Sequence, residues 1–370
     1  MTAGVRAGAI LTVDLDAVVA NWRTMADKAP GAECAAVVKA DAYGLGAAEV
    51  AGALQSAGCR TFFVAHLEEG LALRGAIGPR ARVFVLNGTP PGTEGEFLRA
   101  KLVPVVNTAG ELSAWRARAV EVDRAMPVAL QLDTGMSRLG LSPGDVAMLA
   151  ADTTLLDGLS VELVMSHLAC ADEPGHPAND SQRRSFEKFR SVLPKGAAAS
   201  LANSAGILLG ESYHYELVRP GAALYGINPT PGAANPAGQV AALSARVLQL
   251  REVPAGTAVG YGHACRVRRR SRLATISLGY ADGWPRTVNL AAFFRGQVLP
   301  FAGRVSMDSI VVDATDCADP PREGAFVDII GGRQTVDDIA RAAGTSGYEI
   351  LTRLGRRFRR DYRRRDTLAA

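Results

Sequence analysis

Apolar residues along this chain fall into short runs, separated by segments in which they recur at every third or fourth position. AILTVDL (9–15) alternates like a strand, and a helix-like stretch follows from Asp16 to Lys28. Runs then come at Cys34–Val38, Thr61–Ala65, Val83–Leu86, Val103–Val106, Val128–Leu132, Val161–Met165 and Ala199–Leu201, with a weaker one at Glu216–Val218. Between them lie AAEVAGALQSAG, LEEGLALRGAI, AGELSAWRARAVEV and NDSQRRSFEKFRSVL, whose spacing is that of amphipathic helices. Strands alternating with helices predict parallel βαβ units, and eight of them predict an α/β fold closed as a (β/α)8 TIM-type barrel.

The pattern changes after GINPTPGAANPAG (226–238), a connector rich in proline and glycine. ALSARVLQLREV, LATISLGYADG, GQVLPFAGRVSMDSIVVDAT and AFVDIIG read as short alternating strands with turns between them, the signature of a mostly antiparallel β domain. The expected division is an N-terminal barrel over 1–232 and a C-terminal β domain over 233–370. The strand at about 8–14 is open to packing on the C-terminal domain instead.

With 370 residues, 48% of them hydrophobic and 21% charged, the chain has material for two cores. No apolar run approaches the roughly 20 residues of a membrane span. MTAGVRAGAILTVDLD lacks the apolar core and cleavage site of a signal peptide. A cytoplasmic protein without membrane attachment is expected. Five cysteines without a Cys-x-x-Cys pair argue against a disulfide framework and a structural zinc site. The net charge of +4 is unevenly placed, with arginine-rich stretches at RVRRRSR (266–272) and from Arg353 to Arg365. No aromatic platform or nucleic-acid motif accompanies them, so they are expected to be solvated surface and not a nucleic-acid site.

Polar residues stand just past the strand runs: Lys39, His66, Asn87, Asn107, Asp133, His167, Asn203 with Ser204, and Arg219. In a barrel these positions share the mouth where chemistry occurs. Lys39 ends the run in VVKADAYGLG. It is either a strand-end cation in water or a pocket lysine with a lowered pKa, able to form a Schiff base. Asn203-Ser204-Ala205-Gly206 and Arg219-Pro220-Gly221 occupy the places where a barrel's backbone N–H groups approach a phosphate. Singly they also read as a helix cap and a turn; together, opposite a lysine, they point to a phosphorylated carbonyl cofactor. His167, Cys170, Asp172 and His176 are metal-ligand types, but their spacing fits no familiar zinc pattern, and no metal is expected.

The motifs VVKADAYGLG, LDTGMSRLG (132–140), SHLACAD (166–172), NSAG, VRPGAALYG (218–226), VGYGH (259–263), LGYADGWPR (278–286), GRVSMD (303–308) and YEILTRLG (348–355) resemble those of the alanine racemases, fold type III pyridoxal-phosphate enzymes. They occur in order over nearly the whole chain. The resemblance implies that Lys39 carries pyridoxal 5'-phosphate as a Schiff base. It implies that Tyr43, Ser204, the Gly221 backbone and Tyr348 hold the phosphate, and that Arg219 faces the pyridine nitrogen with His167 beside it. Arg138 would contact the cofactor's phenolic oxygen and the substrate carboxylate, which the Met307 backbone also contacts. Gln131 stands where many members carry a lysine that becomes carbamylated; a neutral amide can orient Arg138 but cannot neutralise it.

Inverting an α-carbon requires removing a proton from one face and returning one to the other. The resemblance gives Lys39 one face and Tyr261 the other. A phenol ionises near pH 10, so Tyr261 in that role needs a basic or cationic neighbour. Because Tyr261 lies in the β domain, the resemblance also implies a homodimer with active sites shared between subunits. The implied activity is an isomerase interconverting L- and D-alanine by a two-base mechanism, supplying D-alanine for peptidoglycan biosynthesis. A broader-specificity amino-acid racemase, acting on serine for example, and a non-catalytic pyridoxal-phosphate-binding protein are the alternatives.

Overall fold

The computed structural model describes residues 6–193 and 195–364. The start of MTAGVRAGAILTVDLD, the last arginine of the basic tail and the outer limits of the two expected domains lie outside the described residues. Two compact units are present, one spanning Val18–Gly238 and the other joining the described residues before it to those from Gln239 onward. The expected division lies at 232/233, whereas the compact units divide after Gly238, with the whole 226–238 connector on the barrel side.

Strand β1 (Ala9–Asp14) comes first. The barrel unit then supplies β2 (Glu33–Cys34), β3 (Ala36–Val37), β4 (Thr61–Val64), β5 (Arg82–Val85), β6 (Val103–Val106), β7 (Met126–Gln131), β8 (Leu159–Met165), β9 (Ala198–Ser200) and β10 (Leu217–Val218). The strands from β3 to β9 form a parallel sheet in chain order, and β10 pairs in parallel with β2. A bridge between Asn203 and Arg219 closes the remaining seam. There the Glu216 N–H donates to the Ala199 carbonyl at 3.2 Å and the Arg219 N–H to that of Ala202 at 2.9 Å. The ring therefore has the eight positions that the apolar runs predict. Every residue of β4 and β6 is buried, as expected for strands with side chains inside the barrel on one face and under helices on the other. Helices at Ala47–Ser56, Leu67–Ile77, Ala109–Glu121 and Pro177–Ser191 match the segments with helical spacing.

The second unit contains β11 (Ala241–Val253), β12 (Ala258–Val259), β13 (Cys265–Arg266), β14 (Ser271–Ile276), β15 (Ala291–Phe294), β16 (Gln297–Pro300), β17 (Ile310–Asp313), β18 (Phe326–Ile330) and β19 (Arg359–Arg363). β1 lies antiparallel to β11 and parallel to β19, and β11 also pairs antiparallel with β14 and β18. Burial alternates along β1 and the first half of β11, as in a sheet with one face on a core. The arginines at 266 and 268–270 are exposed, as expected, but several of the basic residues are ion-paired. Residues 359–363 form a strand, Arg357 pairs with Asp282 at 2.9 Å and Asp308 at 2.7 Å, and Arg269 and Arg270 pair with Asp316 and Glu252. Acids from distant positions supply these partners, so the linear pattern could not show them.

The segment Lys39–Gly44 departs most from expectation. Ala40, Asp41, Ala42 and Tyr43 have φ of 53°, 56°, 52° and 56°, a left-handed helical turn of four residues that are not glycine. Each such residue costs about 1–2 kcal/mol. Among the described residues no helix is long and apolar enough to cross a membrane, and no three His, Cys, Asp or Glu side chains are placed to hold a metal ion.

Candidate active site at the barrel mouth

Each strand-end polar residue follows the C-terminal end of a parallel strand: Lys39 after β3, His66 after β4, Asn87 after β5, Asn107 after β6, Asp133 after β7, His167 after β8, Asn203 after β9 and Arg219 after β10. Closure of the ring turns this sequential series into one circle. Lys39 is partly buried. Its amine is held below the usual lysine range, first by burial, then by the guanidinium of Arg138, with Glu69 opposing and Arg219 adding to the effect.

The left-handed turn after Lys39 is pinned at several points. The Ala42 N–H donates to the Val38 carbonyl at 2.9 Å, and the Asp41 carboxylate accepts the Ala47 N–H at 2.8 Å. Glu69 accepts the Ala40 N–H at 2.7 Å on one carboxylate oxygen. Its other oxygen accepts the N–H groups of Ala65 at 2.7 Å and His66 at 3.2 Å. Ala42 and Tyr43 are buried, so packing adds to these bonds in offsetting the backbone cost.

Arg219 is 3% exposed and is held without an acid among the described residues. Its guanidinium donates to the Ser200 hydroxyl and, at 2.6 Å, to the Ser166 carbonyl, and it stands 3.5 Å from Nδ1 of His167. Burial lowers its pKa to about 9. His167 is pushed down to about 3, by burial first and then by Arg219, Arg138 and Lys39. Its imidazole is therefore neutral at physiological pH. A buried cation with only neutral partners is costly unless it faces something in function.

Asp133 shapes the loop that carries Arg138. One of its carboxylate oxygens accepts the N–H groups of Gly135, Met136 and Ser137 at 2.9, 3.0 and 3.1 Å. Arg138 follows Ser137, whose φ is 57°, and is exposed. Gln131 is buried at the end of β7. Across the ring, the Ser204 hydroxyl accepts the N–H groups of Gly221 at 2.9 Å and Ala223 at 3.2 Å. A Cβ on Gly221 would lie 2.5 Å from the Tyr43 hydroxyl. Two hydroxyls and two backbone N–H groups thus converge where any side chain at 221 would intrude. Asn203 caps the turn that follows, accepting the Gly206 N–H at 2.8 Å, so the cap and anion-site readings of NSAG describe adjacent atoms.

Tyr261, Met307 and Tyr348 lie in the second unit. Tyr261 sits between Gly260 (φ 69°) and Gly262 (φ 65°) in a tight turn and is 68% exposed. Met307 is exposed, and its carbonyl accepts the Ala281 N–H at 3.0 Å. Tyr348 is the second residue of the short helix Gly347–Arg353 and is also exposed. Sequence reasoning passed over Ser166 and Ser200, which hold Arg219, and Glu69. Glu69 could have been found as the third residue of a helix that starts just after a strand, the place where a carboxylate reaches back to strand-end N–H groups.

The sequence profile of the alanine racemase N-terminal domain matches residues 13–229, and that of the alanine racemase C-terminal domain matches 240–362. A catabolic alanine racemase of Mesorhizobium japonicum is 55% identical over 359 residues, covering 96% of this chain and 93% of its own length. A second catabolic alanine racemase, from Agrobacterium fabrum, is 49% identical, covering 95% and 91%. The solved structure of alanine racemase from Bartonella henselae, described with covalently bound pyridoxal phosphate, is 41% identical with a TM-score of 0.92, covering 96% of this chain and 99% of that one.

Proposed function

The chain belongs to the alanine racemase family of fold type III pyridoxal-phosphate enzymes, and we propose that it inverts alanine with one proton-carrying group on each face of the α-carbon. It is an isomerase whose cofactor is pyridoxal 5'-phosphate. The observation that carries the reading is the Lys39 amine at a mouth shared with Arg138, His167 and Arg219, its pKa lowered by burial and by the two guanidiniums.

The residues present fit the cofactor. Lys39 offers an amine to an aldehyde. The hydroxyls of Tyr43 and Ser204 and the backbone of Gly221 offer a phosphate cradle that a Cβ would fill, with Tyr348 and Asn203 as further candidates for that end. Arg219 offers a ring nitrogen a buried cation that has no acid partner among the described residues. When bound, the cofactor makes the α-C–H of an attached amino acid acidic by accepting its electron pair.

The chain's own residues then divide the work. Lys39 takes or returns the proton on one face through its amine, and Tyr261 does so on the other through its phenolic oxygen. Arg219 disfavours a proton on the ring nitrogen, since two cations would be set together, and this limits side reactions such as transamination. Arg138 and the Met307 backbone hold the substrate carboxylate. The loop of Tyr261 comes from the partner in a two-fold homodimer, a reading supported by the exposure of Tyr261, Tyr280, Met307 and Tyr348.

Incubating the purified protein with each enantiomer of alanine and of serine, followed by chiral chromatography, tests the reading. Both alanine enantiomers should reach the same equal mixture, with serine slower by the roughly 1–3 kcal/mol that one small group is worth in a pocket. No conversion of alanine in either direction sinks the reading; comparable turnover of serine favours a broader-specificity racemase. In the cell the enzyme works in the cytoplasm and supplies D-alanine for peptidoglycan. A catabolic role is a second reading, supported by the two most similar relatives described above. Gene disruption separates them: a D-alanine requirement marks supply, and failure to grow on alanine marks catabolism.

A further inference from the structure

We infer that Glu69 is a positioning residue for Lys39, its carboxylate joining the left-handed turn at Ala40 to the neighbouring strand end at Ala65 and His66 and opposing the charge of the two arginines at the amine. The inference rests on the reading of Lys39 as the residue joined to the cofactor. Its geometry does not. One side chain accepts three backbone N–H groups, one from a segment in the left-handed region and two from the end of β4. Ala40 is the residue next to Lys39, so the direction in which the lysine leaves the barrel depends on that bond.

The charges around the Lys39 amine make the second half of the case. Arg138 and Arg219 are cations, His167 is neutral, and Glu69 is the acid that acts on the amine in the opposite sense. Without Glu69, burial and two guanidiniums would act unopposed, and a protonated nitrogen at Lys39 would be disfavoured. Glu111 makes a similar clamp two βα units further on. It accepts the N–H of Asn107 at 2.6 Å and that of Thr89 at 3.2 Å. No left-handed run of residues is attached there, and Glu111 does not act on the Lys39 amine. It serves as an internal control for the loss of a strand-end carboxylate.

The test compares Glu69→Gln with Glu111→Gln as cofactor-loaded proteins, following the pH at which the absorbance of the Lys39-linked cofactor changes. Glu69→Gln should move that midpoint down by about one pH unit, the scale expected for removing a nearby charge, while Glu111→Gln leaves it in place. An unmoved midpoint in Glu69→Gln, or an equal shift in both variants, overturns the inference. Borohydride reduction and peptide mapping are done first, because a label away from Lys39 sinks the reading of that lysine and not the clamp. Hydrogen exchange without cofactor judges the clamp in that case, and also if Glu69→Gln does not fold. The amides of residues 40–46 should exchange faster in Glu69→Asp than in wild type or Glu111→Asp, and unchanged exchange in Glu69→Asp overturns the inference.

Discussion

The guanidinium of Arg219 stands 3.5 Å from Nδ1 of His167, and neither group has a carboxylate partner among the described residues. Burial of both lowers the pKa of each, Arg219 to about 9 and His167 to about 3. The arginine remains charged and the imidazole neutral, so the pair presents one cation and one polar but uncharged ring to the barrel mouth.

His167 gives a pH dependence with a definite sign. Its folded-state pKa is depressed, so the unfolded chain binds a proton that the folded chain refuses as pH falls below the ordinary histidine value. The stability it contributes is full above about pH 6.5 and is lost between there and about pH 3, at no more than about 1.4 kcal/mol per pH unit. Urea unfolding of His167→Gln should therefore show a shallower loss of stability across this window than wild type. Parallel slopes would show that His167 is protonated freely in the folded state.

In the proposed site, Arg219→Glu replaces the cation facing the ring nitrogen with an acid that favours a proton there. Racemisation should slow, and a larger fraction of turnovers should end in transamination, measured as pyruvate formed per alanine inverted. Unchanged partitioning would refute the role given to the arginine. The buried position also predicts lower stability, since the Ser166 carbonyl loses its donor at a cost of about 1–3 kcal/mol, while the Ser200 hydroxyl keeps its bond to the Leu217 carbonyl.

Gly221→Ala places a methyl group 2.5 Å from the Tyr43 hydroxyl, so the tyrosine must move away from the N–H groups of the cradle. The dissociation constant for pyridoxal 5'-phosphate should rise by tenfold or more, corresponding to about 1.4 kcal/mol. Fluorescence titration of apo-protein measures it. Wild-type affinity in the variant would remove this loop from the cofactor site.

Tyr261→Phe keeps the ring and removes the oxygen, so cofactor binding should persist while racemisation falls by about 10²–10⁴, the usual worth of a positioned acid–base group. In deuterated water the variant should still exchange the α-proton of D-alanine, on the Lys39 face, faster than that of L-alanine. Mixing inactive Lys39→Ala and Tyr261→Phe subunits should restore part of the activity, because one site of a mixed dimer has both groups. Equal loss of exchange for both enantiomers, or no rescue after confirmed mixing, counts against the shared two-base site.

Borohydride treatment of the loaded enzyme should fix the cofactor to the peptide containing Lys39. A label on Lys101, Lys188 or Lys195 instead would show that the lysine was misassigned.

What the sequence determined by itself was the periodicity and its consequences. Buried parallel strands must be continuous apolar runs, so Val103–Val106 and Thr61–Ala65 were visible as strands, and a polar residue at each run's end was visible as a mouth residue. The motif resemblance named Lys39, Arg219 and Tyr261 without any coordinates. Tertiary structure decided the rest, because it depends on contacts that no local window contains. VVKADAYGLG gives no sign of a left-handed turn; Ala40, Asp41 and Ala42 adopt it because Glu69, 29 residues away from Ala40, accepts a backbone N–H there and Ala42 and Tyr43 pack inside. The arginine-rich tail reads as solvated charge, yet it becomes strand β19 beside β1, and Arg357 meets Asp282 and Asp308. Burial is likewise a tertiary property, and it is burial that separates the Arg219 and His167 of this site from ordinary surface residues of the same types.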